Sequence, residues 1–310
     1  SMAILIISSN SRMEEWKKEF STSLPDEDIR LWPNLGKEEE IDIVIIAEPE
    51  PGLFQKLTNL KLVIAQRAGV EDLVSDLREK PHITLCRAQS PDGDRMLDDY
   101  ALLCVLYHHR DFPDLILKNQ KGHWINPGVR FVQERTVGIM GLGVIGLSVA
   151  RKLRDFGFRV ITWNKSGGKQ ENMKHFVGPD EFPLFLGESE ILVNLLALTP
   201  ETENIIDSNA LSLLPTGASF INLGRGEHVV DLDLITAIDN GHINSATLDV
   251  FREEPLPPQH PFWSHPRILV MPHIARRPRP DFLTPQLIEN VRRFRAGINP
   301  IQLVDLKRGY

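Results

Sequence analysis

Three glycines in mid-chain constrain this sequence more than any other feature. Thr136-Val137-Gly138-Ile139-Met140 reads as a short buried strand, and Gly141-x-Gly143-x-x-Gly146 follows it directly and opens the amphipathic stretch Leu147 to Phe156. Strand, tight turn and helix thus come in the order a dinucleotide-binding unit requires. Gly141 is expected to make the tight turn, and Gly143 to let the backbone approach a pyrophosphate. Gly146 would let helix and strand pack closely, and the N–H groups at the helix start, around Val144 and Ile145, would receive the phosphates. Residues 1–135 precede this unit, enough for a separate domain, and 310 residues are too many for one comfortable core.

Short apolar runs alternate with helical patterns along most of the chain, which predicts βαβ units and parallel sheets. Before the glycines the candidate strands are Ala3–Ile7, Ile41–Ala47, Leu62–Ala65 and Ile83–Cys86. After them come Val137–Met140, Val160–Trp163, Ile191–Asn194, Ser219–Asn222, Ser245–Asp249 and Ile268–Met271. Asp94–Leu117 carries apolar residues at helical spacing and is expected to be one helix joining two domains, with a second such helix around Thr284–Arg295. The fold class expected is α/β: two doubly wound parallel-sheet, Rossmann-like domains with a cleft between them. A substrate domain would begin at 2–96, a cofactor domain span 97–272, and 273–310 return to the first.

Composition closes off other classes. Apolar and charged fractions of 42% and 25% are those of a globular protein, and a net charge of −7 argues against a nucleic-acid partner. No run approaches the roughly 20 apolar residues that span a bilayer, and the N-terminus enters the strand pattern Ala3 to Ser8 without a cleavable leader. Ser1, ahead of Met2, is set aside as no part of the fold. Cys86 and Cys104 each sit in an apolar stretch, which suggests packed thiols in a reducing compartment and no metal site. The expected location is cytoplasmic.

The strand after the glycine helix should end beside the second ribose of a bound dinucleotide, where an acidic residue selects NAD. Here it ends Trp163-Asn164-Lys165-Ser166. An amide, an ammonium and a hydroxyl favour a 2′-phosphate, so NADP(H) is preferred, with NAD(H) the alternative. Three further segments each place a polar residue just past a predicted strand: Leu223-Gly224-Arg225-Gly226, then Leu248-Asp249 through Glu254-Pro255, then Pro272-His273-Ile274-Ala275. In a doubly wound sheet that edge binds ligands. An Arg can hold a carboxylate by paired hydrogen bonds, and a His beside a Glu can give a proton to a carbonyl oxygen, as reduction of a 2-oxo acid demands.

With these segments in view, the chain resembles the D-isomer-specific 2-hydroxyacid dehydrogenase family over nearly its whole length. The glycine loop, LGRG at 223–226, LDVFREEPLP at 248–257 and PHIA at 272–275 carry the resemblance. LTPET at 198–202, GEHVV at 226–230, EPLPPQHPFWSHPRI at 254–268 and KRGY at 307–310 are similar to its glyoxylate/hydroxypyruvate reductase A branch. The resemblance implies that Arg225 orients substrate, that Glu254 and His273 form the proton-transfer pair, and that Asp249 lies near the nicotinamide amide. It implies cofactor contacts from Leu198, Thr199, Pro200, Leu223, Gly224 and Arg225, and substrate contacts from Ala68, Gly69, Val70, Arg225 and His273. A homodimer held largely by the cofactor domains is also implied.

One departure stands in the substrate loop, where Arg67 occupies a position at which the family has Gly. Its guanidinium either points to solvent or enters the cleft and favours a second anionic group on the substrate. Arg279 is a weaker candidate for the pocket rim, and Arg276 and Arg277 depart from the small or apolar residues usual there. Trp124 would pack in the core, close over a small substrate or reach a partner subunit. The function expected is NADPH-dependent reduction of a small 2-oxo acid to the (R)-2-hydroxy acid. The alternatives are an NAD(P)-sensing interaction protein on the same fold, or a dehydrogenase for a larger or doubly anionic substrate.

Overall fold

The computed structural model describes residues 2–8, 13–47, 50–66, 69–88, 95–168, 172–276 and 280–310, with the backbone alone at 280–282. The chain divides into two compact units, Ser1–Pro91 with Pro278–Tyr310, and Asp92–Arg277. His273 therefore stays with the second unit.

The first unit contains β1 (Ala3–Ile7), α1 (Met13–Ser23), β2 (Asp28–Leu31), β3 (Ile41–Ile46), α2 (Leu53–Lys56), β4 (Leu62–Ala65), α3 (Glu71–Leu77) and β5 (Thr84–Arg87). Its described strands form a parallel sheet in the order β2-β1-β3-β4-β5. A sheet covered on both faces needs strands that are apolar throughout, and β1, β3 and β4 are buried at every position. Alternation then sorts the side chains: Ala3, Leu5 and Ile7 pack on one side, Ile4 and Ile6 on the other. The second face is closed by Leu283, Leu287, Ile288 and Val291 of the helix Pro280–Arg295. Asp42, the single polar residue of β3, is 1% exposed, and Arg295 reaches it and Glu27 with a fork of hydrogen bonds.

The second unit contains α4 (Arg95–His109), α5 (Phe112–Gln120), β6 (Thr136–Met140), α6 (Val144–Phe156), β7 (Arg159–Asn164), β8 (Lys174–Val177), α7 (Gly178–Glu188), β9 (Ile191–Asn194), α8 (Ser208–Leu213), β10 (Ala218–Asn222), α9 (Asp231–Asp239), β11 (Ile243–Leu248) and β12 (Ile268–Val270). All described pairings are parallel, in the order β12-β11-β10-β9-β6-β7-β8. Winding reverses between β6 and β9, so their carboxyl ends flank the crevice where such sheets bind ligands. Helices α4 and α6 cover one face with Ala101, Val105, Val149 and Leu153, while α7, α8 and α9 cover the other with Phe185, Leu211 and Leu234.

Two strands lie outside the predicted set. β2 and β8 are sheet edges with one buried residue each, and without an apolar run they carry no strand signal. The single helix predicted over Asp94–Leu117 is two, because Asp111 takes a left-handed φ of 58° and Pro113 cannot continue the hydrogen-bond ladder. Both cysteines are free and buried. Among the described residues no helix is long and apolar enough to cross a membrane.

Candidate active site

The carboxyl edge of the second sheet collects the predicted residues strand by strand. After β6, Gly141 adopts φ 97°, a conformation that favours glycine, and turns the chain into α6. A Cβ on Gly146 would lie 1.9 Å from the Gly141 carbonyl oxygen, so helix and turn touch backbone to backbone. A Cβ on Gly143 would meet nothing within 4 Å. That open space lies beside the start of a 13-residue helix whose N-cap, Gly143, has no side chain to satisfy it. The free N–H groups of the first turn, around Val144 and Ile145, suit a pyrophosphate. A dinucleotide fits these residues.

At the end of β7, Asn164 is occupied by the loop that follows. Its Nδ2 donates to the Gly167 carbonyl at 2.6 Å, while its Oδ1 accepts from the Gly167 N–H at 2.9 Å and from His175 Nε2 at 3.1 Å. Asn164 Oδ1 can only accept, so His175 carries its ring proton on Nε2 and, in the neutral ring, Nδ1 accepts the Thr162 hydroxyl at 2.8 Å. Asn164 thus shapes the loop, and Lys165 and Ser166 are the exposed groups it presents. Lys165 stands 3.8 Å from Glu201, an exposed pair of small energetic weight. After β9, Leu198 and Thr199 are partly buried and Pro200 is exposed, in a loop tied by Thr202, whose hydroxyl accepts the Thr199 N–H and donates to the Ala197 carbonyl.

Leu223, Gly224 and Arg225 follow β10. A Cβ on Gly226 would fall 1.9 Å from the Phe251 carbonyl carbon, so the Arg225 turn presses on the backbone that leads to Glu254. Arg252 fastens the same two segments by donating to the carbonyls of Glu227 and Val229. Arg225 itself is partly buried, with Nη1 donating to the Gly224 carbonyl at 2.8 Å.

Glu254 and His273 meet as the sequence predicts. His273 Nδ1 lies 2.6 Å from Glu254 Oε2, and Glu254 Oε1 accepts the Phe251 N–H at 3.0 Å. Burial pushes the Glu254 carboxyl upward, but the bonds from His273 and Phe251 and the charges of His273 and Arg225 outweigh it and hold it below the usual range. The pair can carry a proton on the imidazole while the carboxylate keeps the ring oriented.

Asp249, 1% exposed, builds the turn that carries the imidazole. Its carboxylate accepts the N–H groups of Ile274 at 2.8 Å and Ala275 at 3.0 Å and the Tyr100 hydroxyl at 3.2 Å, and His273, just before these two residues, takes a left-handed φ of 51°. Burial raises the Asp249 carboxyl, against the opposing pull of these three bonds and the His273 charge. Tyr100 is absent from the predicted site because its spacing marks it only as a helix residue.

In the first unit, Val70 precedes α3 with its side chain in the core, and Gly69 is partly buried. Arg67, Ala68, Arg277 and Arg279 lie outside the described residues. Arg276 is described and partly buried.

Residues 102–275 match the family described as D-isomer specific 2-hydroxyacid dehydrogenase, NAD binding domain. The chain belongs to that family. It is an oxidoreductase by that membership. The chain is 34% identical to glyoxylate/hydroxypyruvate reductase A of Yersinia enterocolitica over 302 residues, 96% of each protein. A D-isomer specific 2-hydroxyacid dehydrogenase from Xanthobacter autotrophicus Py2, solved with NADPH and MES, superposes with a TM-score of 0.93 at 38% identity over 100% of both chains. The NADPH-dependent glyoxylate/hydroxypyruvate reductase of Sinorhizobium meliloti, solved with NADP and sulfate, gives 0.90 at 29% identity, covering 99% of this chain and 100% of that one.

Proposed function

We propose that this dehydrogenase uses NADPH to reduce a small 2-oxo acid of the glyoxylate and hydroxypyruvate class to the (R)-2-hydroxy acid. The observation that carries the reading is the 2.6 Å bond between His273 and Glu254, one strand end from Arg225. When bound, the nicotinamide supplies hydride to the keto carbon. Arg225 holds the substrate carboxylate through its planar fork. With Nδ1 on Glu254, His273 gives its proton from Nε2 to the carbonyl oxygen, and Glu254 offsets the charge of the ring until then. Gly141, Gly143 and Gly146 seat the pyrophosphate, and Lys165 and Ser166 favour the 2′-phosphate over a bare hydroxyl. Relatives that are glyoxylate/hydroxypyruvate reductases and a structural neighbour holding NADPH support the substrate class and the cofactor.

The test is a panel of 2-oxo acids assayed with NADPH and with NADH by the absorbance of the reduced nicotinamide. Glyoxylate and hydroxypyruvate should turn over with higher kcat/KM for NADPH. His273→Ala should lose most turnover and keep NADPH binding. An active His273→Ala enzyme would sink the proton-transfer assignment. Nucleotide binding without turnover of any 2-oxo acid would favour the nucleotide-sensing reading instead.

The assembly implied by the family is a homodimer. Trp124 is 99% exposed, and Val129 and Phe131 in the same segment are also exposed, an apolar stretch that a second copy would cover. Light scattering of the intact chain should give twice the chain mass, and Trp124→Ala should weaken the association.

A further inference from the structure

Beneath the Arg225 turn lies a polar cluster, Asn194, Asn222 and His228, each 1% exposed or less. Backbone N–H groups, which only donate, fix its hydrogen-bond directions. The Gly224 N–H, at 3.2 Å, makes the near atom of Asn222 its Oδ1, and Asn222 Nδ2 then donates to the Arg225 carbonyl at 3.1 Å. The Leu196 N–H, at 3.1 Å, likewise sets Asn194 Oδ1, so Asn194 Nδ2 donates to Asn222 Oδ1 at 3.0 Å and to His228 Nδ1 at 2.8 Å. The Arg225 N–H donates to that same Nδ1 at 3.1 Å. Two donors converge on Nδ1, so it carries a lone pair and the ring proton sits on Nε2, 3.2 Å from the Ala197 carbonyl. Gly224 completes the fit, since a Cβ there would lie 2.7 Å from Asn194 Nδ2 and 3.0 Å from His228 Nδ1.

We propose that His228, as its neutral Nε2–H form, is a positioning residue with two separate duties: Nδ1 fixes the backbone of Arg225 for the substrate carboxylate, and Nε2–H holds the 195–200 loop for the cofactor. The proposal rests on the reading of Arg225 as the carboxylate anchor. An aliphatic residue at 228 fills the space but takes the Nδ1 acceptor from the Arg225 N–H and leaves Asn194 Nδ2 with Asn222 Oδ1 alone, whereas an imidazole is rigid enough to serve both segments at once.

Two amide substitutions separate the duties. In His228→Asn the Oδ1 falls where Nδ1 was and no donor reaches Ala197, whereas in His228→Gln the terminal amide reaches Ala197 and the acceptor for Arg225 is lost. Steady-state kinetics with glyoxylate and fluorescence titration with NADPH are measured on the full chain. His228→Gln should raise KM for the 2-oxo acid on the order of tenfold, with kcat and the NADPH Kd little changed. His228→Asn should weaken NADPH by a similar factor and leave the 2-oxo acid KM within about threefold of the parent. Equal effects of the two on both constants, or lower thermal stability with unchanged kinetics, overturns the proposal. Arg225→Gln runs in parallel. If it leaves KM unchanged, the anchor reading itself fails; if it raises KM and His228→Gln does not, only the role of His228 fails. Nitrogen-15 spectra of the histidine rings in the unsubstituted protein give a check that needs no variant to fold, with the His228 signal expected as Nε2–H. An Nδ1–H or doubly protonated ring overturns the assignment.

Discussion

Alanine at Gly143 and at Gly146 should separate the glycine loop's service to the fold from its service to the cofactor. Gly143 has φ −73° and ψ −170°, extended backbone open to any residue, and an added Cβ would meet no atom within 4 Å. Gly143→Ala therefore has no clash to relieve in the native state; restriction of the unfolded chain adds about 0.5 kcal/mol, the poorer N-cap removes a similar amount, and stability should stay within about 0.5 kcal/mol of the parent. The methyl group would nonetheless stand where a pyrophosphate must approach. Losing one charge-assisted bond from the helix start costs about 1.5–3 kcal/mol, or roughly 10- to 150-fold in the NADPH Kd. At Gly146 the Cβ would lie 1.9 Å from the Gly141 carbonyl oxygen, so the helix has to shift, at about 1–3 kcal/mol of stability besides the lost binding. Urea midpoints with unchanged m-values measure the first effect, and quenching of protein fluorescence by NADPH the second. Tight NADPH binding by Gly143→Ala would refute the placement of the pyrophosphate. A loss of more than about 1 kcal/mol in that variant would refute the account of the loop's packing.

Lys165→Ala should lower kcat/KM with NADPH by about tenfold and spare NADH, because the ammonium is assigned to the 2′-phosphate alone; equal losses with both cofactors would contradict that assignment. Glu254 is held below the usual carboxyl range, so its contribution to stability is complete above the ordinary value of about 4.3 and disappears only as pH falls through the lower folded value. The stability gap between the parent and Glu254→Gln, followed by urea unfolding, should hold from pH 7 down to about 4.3 and close below it. Arg295→Ala would leave Asp42 buried beside an empty site, and the unfolding free energy should fall by about 3 kcal/mol; a change below about 1 kcal/mol would mean that solvent already screens the pair.

The strands were legible in the sequence where burial on both faces makes them apolar throughout. β1 and β4 match their predicted bounds, and β3 ends one residue early. β2 and β8 escaped because each has one buried residue and no apolar run, whereas the other two edges, β5 and β12, keep an apolar run and were found; the break after α4 escaped because helical spacing of apolar residues continues across Asp111. Arg225, Glu254 and His273 were legible for a topological reason: a polar residue that ends an apolar run in a parallel sheet is delivered to one edge, whatever its distance in sequence. His228 and Tyr100 could not be found that way. Tyr100 sits inside α4 and meets Asp249 149 residues on, and His228 joins its near neighbour Arg225 to Asn194 and Ala197, more than 30 residues upstream.

The His273 turn shows why a local rule can mislead at such an edge. A left-handed φ argues for glycine, and a non-glycine residue there costs about 1–3 kcal/mol. Asp249 opposes this cost, because its carboxylate accepts the N–H groups of Ile274 and Ala275, bonds of about 1.5–3 kcal/mol each where water is excluded. Asp249 in turn tolerates burial only because those two N–H groups and the Tyr100 hydroxyl solvate it. The imidazole thus occupies a backbone position that its own conformational preference disfavours, held there by a carboxylate whose burial the same turn makes affordable.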